Sequence, residues 1–280
     1  MEERVQSGSD RVTLNIGSLR SQINLELHTY HAARLWAGRR PSATDNKLQG
    51  VLGLTGYLHL TTQIKNAAAQ DDPYADWMMI QIEEKIEKVK TRYAEIKSQV
   101  KEIIDDIPRQ LTISENLNLQ PARMPLYVNT PLGFQGVYLL IEFDGIARDL
   151  LLANHIGKMM RGQMEDMLDQ AAHQIRSTFA MVQNYRNTGV TRDDIAANNP
   201  RARDVVEKYG LPPQDVLEGT RRSSFAPAII KKTGVVPVDQ EVVVGKDPDD
   251  VAVTEEMNTA AIAGAEKPAR KKRAVKEVTV

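Results

Sequence analysis

Gln22, Asn24, Glu26 and His28 occupy every second position of "SLRSQINLELHTYHAARLWAGRR" (18–40), and Ile23, Leu25 and Leu27 fill the places between them. Amides, a carboxylate and an imidazole in such a row offer hydrogen-bond recognition by one face of a strand. His28 and His31, with Glu26 nearby, also let a metal site be drawn. They straddle a change of period, however, and no second pair completes a tetrahedral set, so they read as structural. His155, near Asp144 and Asp149, could be argued into acid–base work; a capped or core histidine is the expectation there. No serine sits in G-x-S-x-G, and the chain has no cysteine, which removes thiol catalysis, thiolate metal sites and disulfides together. The expectation is a protein without catalysis, metal or cofactor.

The elements that would position the polar row follow from periodicity. Alternation over residues 20 to 28 predicts a strand. An alternating stretch from Arg11 could form a hairpin with it or a separate extended piece. Thr29 is a candidate N-cap for a helix over 30–37, and Gly38 a C-cap. After the connector RRPSATDN, a helix is expected from about Lys47 to Ala69, with Gly50, Gly53 and Gly56 at three-residue spacing. Each glycine weakens a helix by about 1 kcal/mol. Either that helix begins late or another backbone packs closely on the stripe. The spacing is not that of a phosphate loop.

DDPYADW (71–77) reads as a turn feeding a long helix, with Pro73 in its first turn. Ile82, Ile86, Val89, Tyr93, Ile96, Val100, Ile103 and Ile107 follow at strict four–three spacing, the period of a coiled-coil seam. That seam either packs in an intramolecular hairpin on the helices of 134–185 or meets a partner or second copy. Pro108 stops it. Pro125 places the extended piece around RMPLYVNTPLG at a sheet edge or strand start. Residues 134–157 form the most buried helix, about Gln163 to Tyr185 another, and short capped helices follow Thr191, Pro200 and Pro212–Pro213. The expected architecture is mainly α with a short β element near the N-terminus. It divides into a flexible 1–10, a ribbon–helix–helix-like unit over 11–70, a helical body over 71–227 and a disordered tail over 228–280 ending in a basic run.

Charge is segregated. The chain of 280 residues has a formal net charge of −1, yet residues 11–65 carry seven bases against two acids, and 71–107 carry ten acids against six bases. A strand with a polar outer face, a short helix, a basic loop and a longer helix is the layout of a ribbon–helix–helix unit. In that layout two chains pair strands, and the ribbon enters the major groove of double-stranded DNA. Arg20, Gln22, Asn24 and His28 would read bases, while Arg34, Arg39, Arg40 and Lys47 would hold phosphates. Glu26 is the awkward residue, because it repels phosphate. The bland alternative is an ordinary edge strand with a solvated face. The first residues lack a signal-peptide apolar stretch, and no uncharged apolar run approaches the roughly 20 residues that cross a bilayer, so a cytoplasmic protein is expected.

Four stretches, "SLRSQINLELHTYHAARLWAGRR", "DDPYADWMMIQIE", "MPLYVNTPLGFQGVYLL" and "GLPPQDVLEGTRRSSFAP", together resemble a family encoded on integrating conjugative elements and related plasmids of proteobacteria. That family includes the AcaB-like transcriptional regulators. The resemblance spans about Leu19 to Pro227, and it implies a dimeric ribbon–helix–helix regulator acting on mobile-element genes. Glu26 and the long connector at 41–46 depart from that pattern. The rival is a non-catalytic interaction protein of a conjugative element, binding another element-encoded protein through the 82–107 helix.

Overall fold

The protein is described by a computed structural model that covers residues 23–40, 50–108, 110, 113–114 and 116–230. These belong to one compact unit, Met1–Lys231. Arg20, Gln22, Lys47, the flexible 1–10, the stretch from Arg11, the 41–46 connector and the tail beyond residue 230 lie outside the described residues.

The opening strand, β1, spans Ile23–Leu27 and pairs antiparallel with β2, Ala122–Leu126. The expected ribbon between two chains is therefore made within one. Leu25 lies opposite Met124 and Leu27 opposite Ala122 on the inner face, where Leu25 and Leu27 are buried. Asn24 faces Pro125 and Glu26 faces Arg123 on the outer side. Pro125 sits in a two-stranded sheet, where both strands are edges, the place a proline is tolerated.

Thr29 then caps α1, Tyr30–Ala37, its hydroxyl accepting from the Ala32 N–H, and Gly38 ends that helix at φ 67°. The second helix, α2, spans Leu54–Ala69 and starts later than the expected Lys47. Residues 50–53 are extended instead, and Arg39 and Val51 exchange two backbone hydrogen bonds of 2.8 Å. That bridge brings Gly38 and Gly53 together so closely that a Cβ on Gly38 would lie 2.5 Å from the Gly53 nitrogen. Both sequence alternatives are realised: a late helix start and a close backbone approach.

Asp72 caps α3, Pro73–Asp105, by accepting from the N–H groups of Tyr74 and Ala75. Thr130 caps α4, Pro131–His155, and α5 follows over Arg161–Met181. The most apolar helix, α4, is central and touches α1, α2, α3 and α5. Ile82, Ile86, Val89, Tyr93, Ile96 and Val100 are all at most 2% exposed and face this core, since α3 packs on α4 and α5 of the same chain. Those six positions are closed to a second chain, and only Ile103 and Ile107 remain partly exposed. The aromatic interruption at Tyr93 has a polar reason: its hydroxyl donates to the Ala171 carbonyl at 3.0 Å. Full burial of such side chains stabilises by roughly 1.5–3 kcal/mol each, so the seam is a principal source of cohesion.

Beyond α5 and a 3-10 turn over 182–184, α6 (Arg192–Ala196), α7 (Pro200–Tyr209) and α8 (Gln214–Leu217) lead back over α3. Asp76, fully buried, accepts from Arg192 and from Arg222. Glu84 pairs with Arg221, and Glu83 accepts from the hydroxyls of Ser223 and Ser224. Three residues past Pro227, the Ile230 N–H donates to the Ala69 carbonyl at 2.8 Å.

Candidate nucleic-acid interface

Alternation alone decides which side chains β1 and β2 present outward. On β1 these are Asn24 and Glu26, both exposed, and on β2 they are Arg123 and Pro125, also exposed. Tyr127, two residues beyond Pro125, is 71% exposed. The Arg123 Nε lies 2.8 Å from a Glu26 carboxylate oxygen. Glu26, awkward in the sequence, is neutralised by its cross-strand neighbour. Arg123 is a residue that the sequence reading missed. Its signal was the alternation of Arg123, Pro125 and Tyr127 with Met124 and Leu126, which became meaningful only once β2 was placed beside β1.

His28 is half-buried and held on three sides. Its Nδ1 accepts from the Asn118 N–H at 3.2 Å, its carbonyl accepts from the Asn118 amide, and its own N–H donates to Asp144 at 3.0 Å. An Nδ1 that accepts leaves the neutral ring's proton on Nε2, a donor available for recognition. His31 does not join it in a ligand set; it lines a cleft described below.

Asp144, buried on α4, fixes the junction between β1 and α1. Its carboxylate accepts from the N–H of His28 and from both the N–H and the hydroxyl of Thr29, the latter at 2.7 Å. Arg148, one turn on, approaches it to 4.0 Å. Asp144 therefore works as a second cap on α1, while His155 stands exposed at the end of α4.

The expected phosphate anchors partly converge. Arg34 and Arg39 line one cleft of about 280 Å³ with His31 and, from α5, Arg176; Phe143 and Asp169 are also on its walls. The Arg34 guanidinium lies 5.9 Å from the centre of the exposed Tyr30 ring. Arg40 is exposed next to this cleft in sequence. Arg176 is a further cation the sequence reading missed, because α5 carries mixed charge and its cleft-facing side shows only in three dimensions. Lys65, counted in the basic N-terminal portion, holds the Asn129 carbonyl at 2.9 Å and so supports the β2–α4 connection.

Electrostatics elsewhere are those of structural ion pairs. Burial pushes the Asp72 carboxyl up, against the pull of hydrogen bonds from Tyr185, Tyr74, Ala75 and Thr188. Burial likewise raises the hydroxyls of Tyr57 and Tyr93. For Glu83, burial acts upward, but the hydrogen bonds from Ser223 and Ser224 together hold it below the usual range. The arrangement near the ribbon supplies exposed amide and guanidinium donors, with the half-buried His28 imidazole beside them, over an apolar base. Such a surface can recognise base edges and phosphates.

Comparison with known proteins adds the family. The family model described as transcriptional regulator AcaB matches residues 15–230. The crystal structure of selenomethionine-containing AcaB from uropathogenic E. coli is similar over 72% of this chain and 98% of that one, at 14% sequence identity and a TM-score of 0.47. No curated protein matches the chain. Among the described residues, no helix is long and apolar enough to cross a membrane.

Proposed function

Since the chain belongs to the AcaB transcriptional regulator family, we propose that it is a non-catalytic, cytoplasmic regulator of a mobile, integrative conjugative element that binds double-stranded DNA through the outer face of its β-ribbon. The observation that carries this reading is the exposed polar face of β1 over a buried apolar one, with Asn24 outward and Leu25 and Leu27 inward. A two-stranded ribbon fits the major groove, where an asparagine amide can address adenine. In this reading Arg20, Gln22, Asn24 and His28 read bases, and Arg34, Arg39, Arg40 and Lys47 anchor phosphates. A homodimer sets two ribbons on the half-sites of a palindromic operator. The rival adaptor reading would need the 82–107 seam, whose first six positions face the chain's own core.

Purified protein mixed with sheared DNA of its host element at physiological salt tests this. Recovered fragments should be enriched in a few intergenic sites. Uniform or absent recovery would overturn the proposal.

A further inference from the structure

We infer that β2 is a reading strand in its own right, and that Arg123, positioned by Glu26, contacts a guanine. This rests on the DNA-binding reading above and adds to it a second strand from the same chain.

Three observations carry it. First, Arg123 is directly opposite Glu26 on the outer face, and its side chain remains 73% exposed while paired. The carboxylate engages Nε at 2.8 Å. The two terminal nitrogens take no part in that contact. Guanine presents O6 and N7 side by side in the major groove, and a guanidinium addresses both at once. An exposed pair of this kind adds little stability. Its consequence is orientation, together with cancellation of the Glu26 charge on the outer face of the ribbon.

Second, the neighbour of Asn24 across the ribbon is Pro125, which has no N–H and no polar side-chain atom to compete for the Asn24 amide. The outer face therefore presents Asn24 and Arg123 as separate donors on different strands, one for each side of the ribbon.

Third, both strands lead into helices by the same device. Thr29 caps α1 by accepting from the N–H three residues on, and Thr130 caps α4 in the same way, at 3.2 and 2.8 Å. Two antiparallel strand–cap–helix units lie side by side, the relation that a two-fold axis creates between two chains. Here one chain supplies both, so a single protomer presents a complete two-stranded face.

The test uses full-length protein and a DNA fragment recovered by the wild type as above, with binding titrated by fluorescence anisotropy and base preference read by selection from a randomised pool. Arg123→Ala should lower affinity about tenfold or more and erase a guanine preference at one position per ribbon. Arg123→Lys should keep more of the affinity than Arg123→Ala and weaken the preference rather than erase it, because an ammonium can still reach O6 and N7 but lacks the planar fork. Glu26→Gln should weaken the preference by less. Unchanged affinity and preference in Arg123→Ala would overturn the inference while leaving DNA binding by β1 in place. Wild-type protein that recovers no site would overturn both. Circular dichroism melting of Arg123→Ala should match the wild type, since the side chain is exposed.

Discussion

Arg222 grips Asp76 with two hydrogen bonds of 2.9 Å, Nε to Oδ2 and Nη2 to Oδ1. Arg192 reaches the same carboxylate at 2.6 Å. Asp76 is fully buried in the first turn of α3, and the two arginines come from segments more than a hundred residues away. This is how DDPYADW and GTRRSSFAP, two stretches that carry the family resemblance, meet in space. They clamp the C-terminal part of the described chain onto the long helix.

Removing the shared acceptor strands the Arg222 guanidinium and leaves Arg192 with Asp71 and the Val216 carbonyl. Asp76→Ala should cost about 3–5 kcal/mol, the range for breaking a buried ion pair from one side. Arg222→Ala should cost less, because Arg192 still satisfies the carboxylate. Urea unfolding checks the energies, and limited proteolysis should show new cleavage within 186–226 in Asp76→Ala.

Asp144 makes a related prediction at the ribbon. Asp144→Ala removes the acceptor for two backbone N–H groups and the Thr29 hydroxyl together, so a loss of about 2–4 kcal/mol is expected. Hydrogen exchange at the His28 and Thr29 amides should accelerate more than at α5. If exchange there stays as slow as in the wild type, Asp144 does not hold the β1–α1 junction.

Glu83 gives the C-terminal clamp a pH dependence of known sign. Hydrogen bonds from Ser223 and Ser224, outweighing burial, lower its folded-state carboxyl below the ordinary value. A carboxylate lowered on folding contributes stability that is present above its unfolded pKa and lost as pH falls through the folded one. The stability difference between wild type and Glu83→Gln should therefore be full at pH 6 and shrink below about pH 4. A difference independent of pH would contradict the assignment. Asp72, raised by burial, acts in the opposite direction, losing stability as pH rises from its unfolded value toward its folded one. Comparing the two proteins at each pH cancels that contribution.

Phosphate anchoring predicts a salt slope. Arg34→Ala and Arg39→Ala should each reduce the slope of log K against log salt by about 0.9, and weaken binding nearly equally on specific and non-specific DNA. A wild-type slope in both variants would remove the cleft between α1 and α5 from the interface.

The local elements were readable because their causes are local. Thr29, Pro73, Thr191, Pro200 and Gly38 mark helix ends through caps and backbone preferences that reach only a few residues. The inward direction of Leu25 and Leu27 followed from alternation, whereas Ile23, expected on the same buried face, is 40% exposed at the strand's start; the four–three repeat identified one continuous face on α3. The late start of α2 was left open, because a glycine stripe is equally compatible with a missing turn and with a close neighbour.

By itself the sequence determined the order of the main helices and the opening strand, the outward direction of Asn24 and Glu26, and that catalysis by thiols is absent, since each depends on residue type and short-range period. Tertiary structure decided which chain supplies the second strand, what covers the isoleucine seam, and which partners Asp76, Asp144 and Glu26 take. The reason is distance along the chain: Thr29 and Asp144 are 115 positions apart, and no period or cap carries information that far. Only the packing of α4 against β1 and α1 brings such groups within hydrogen-bond reach.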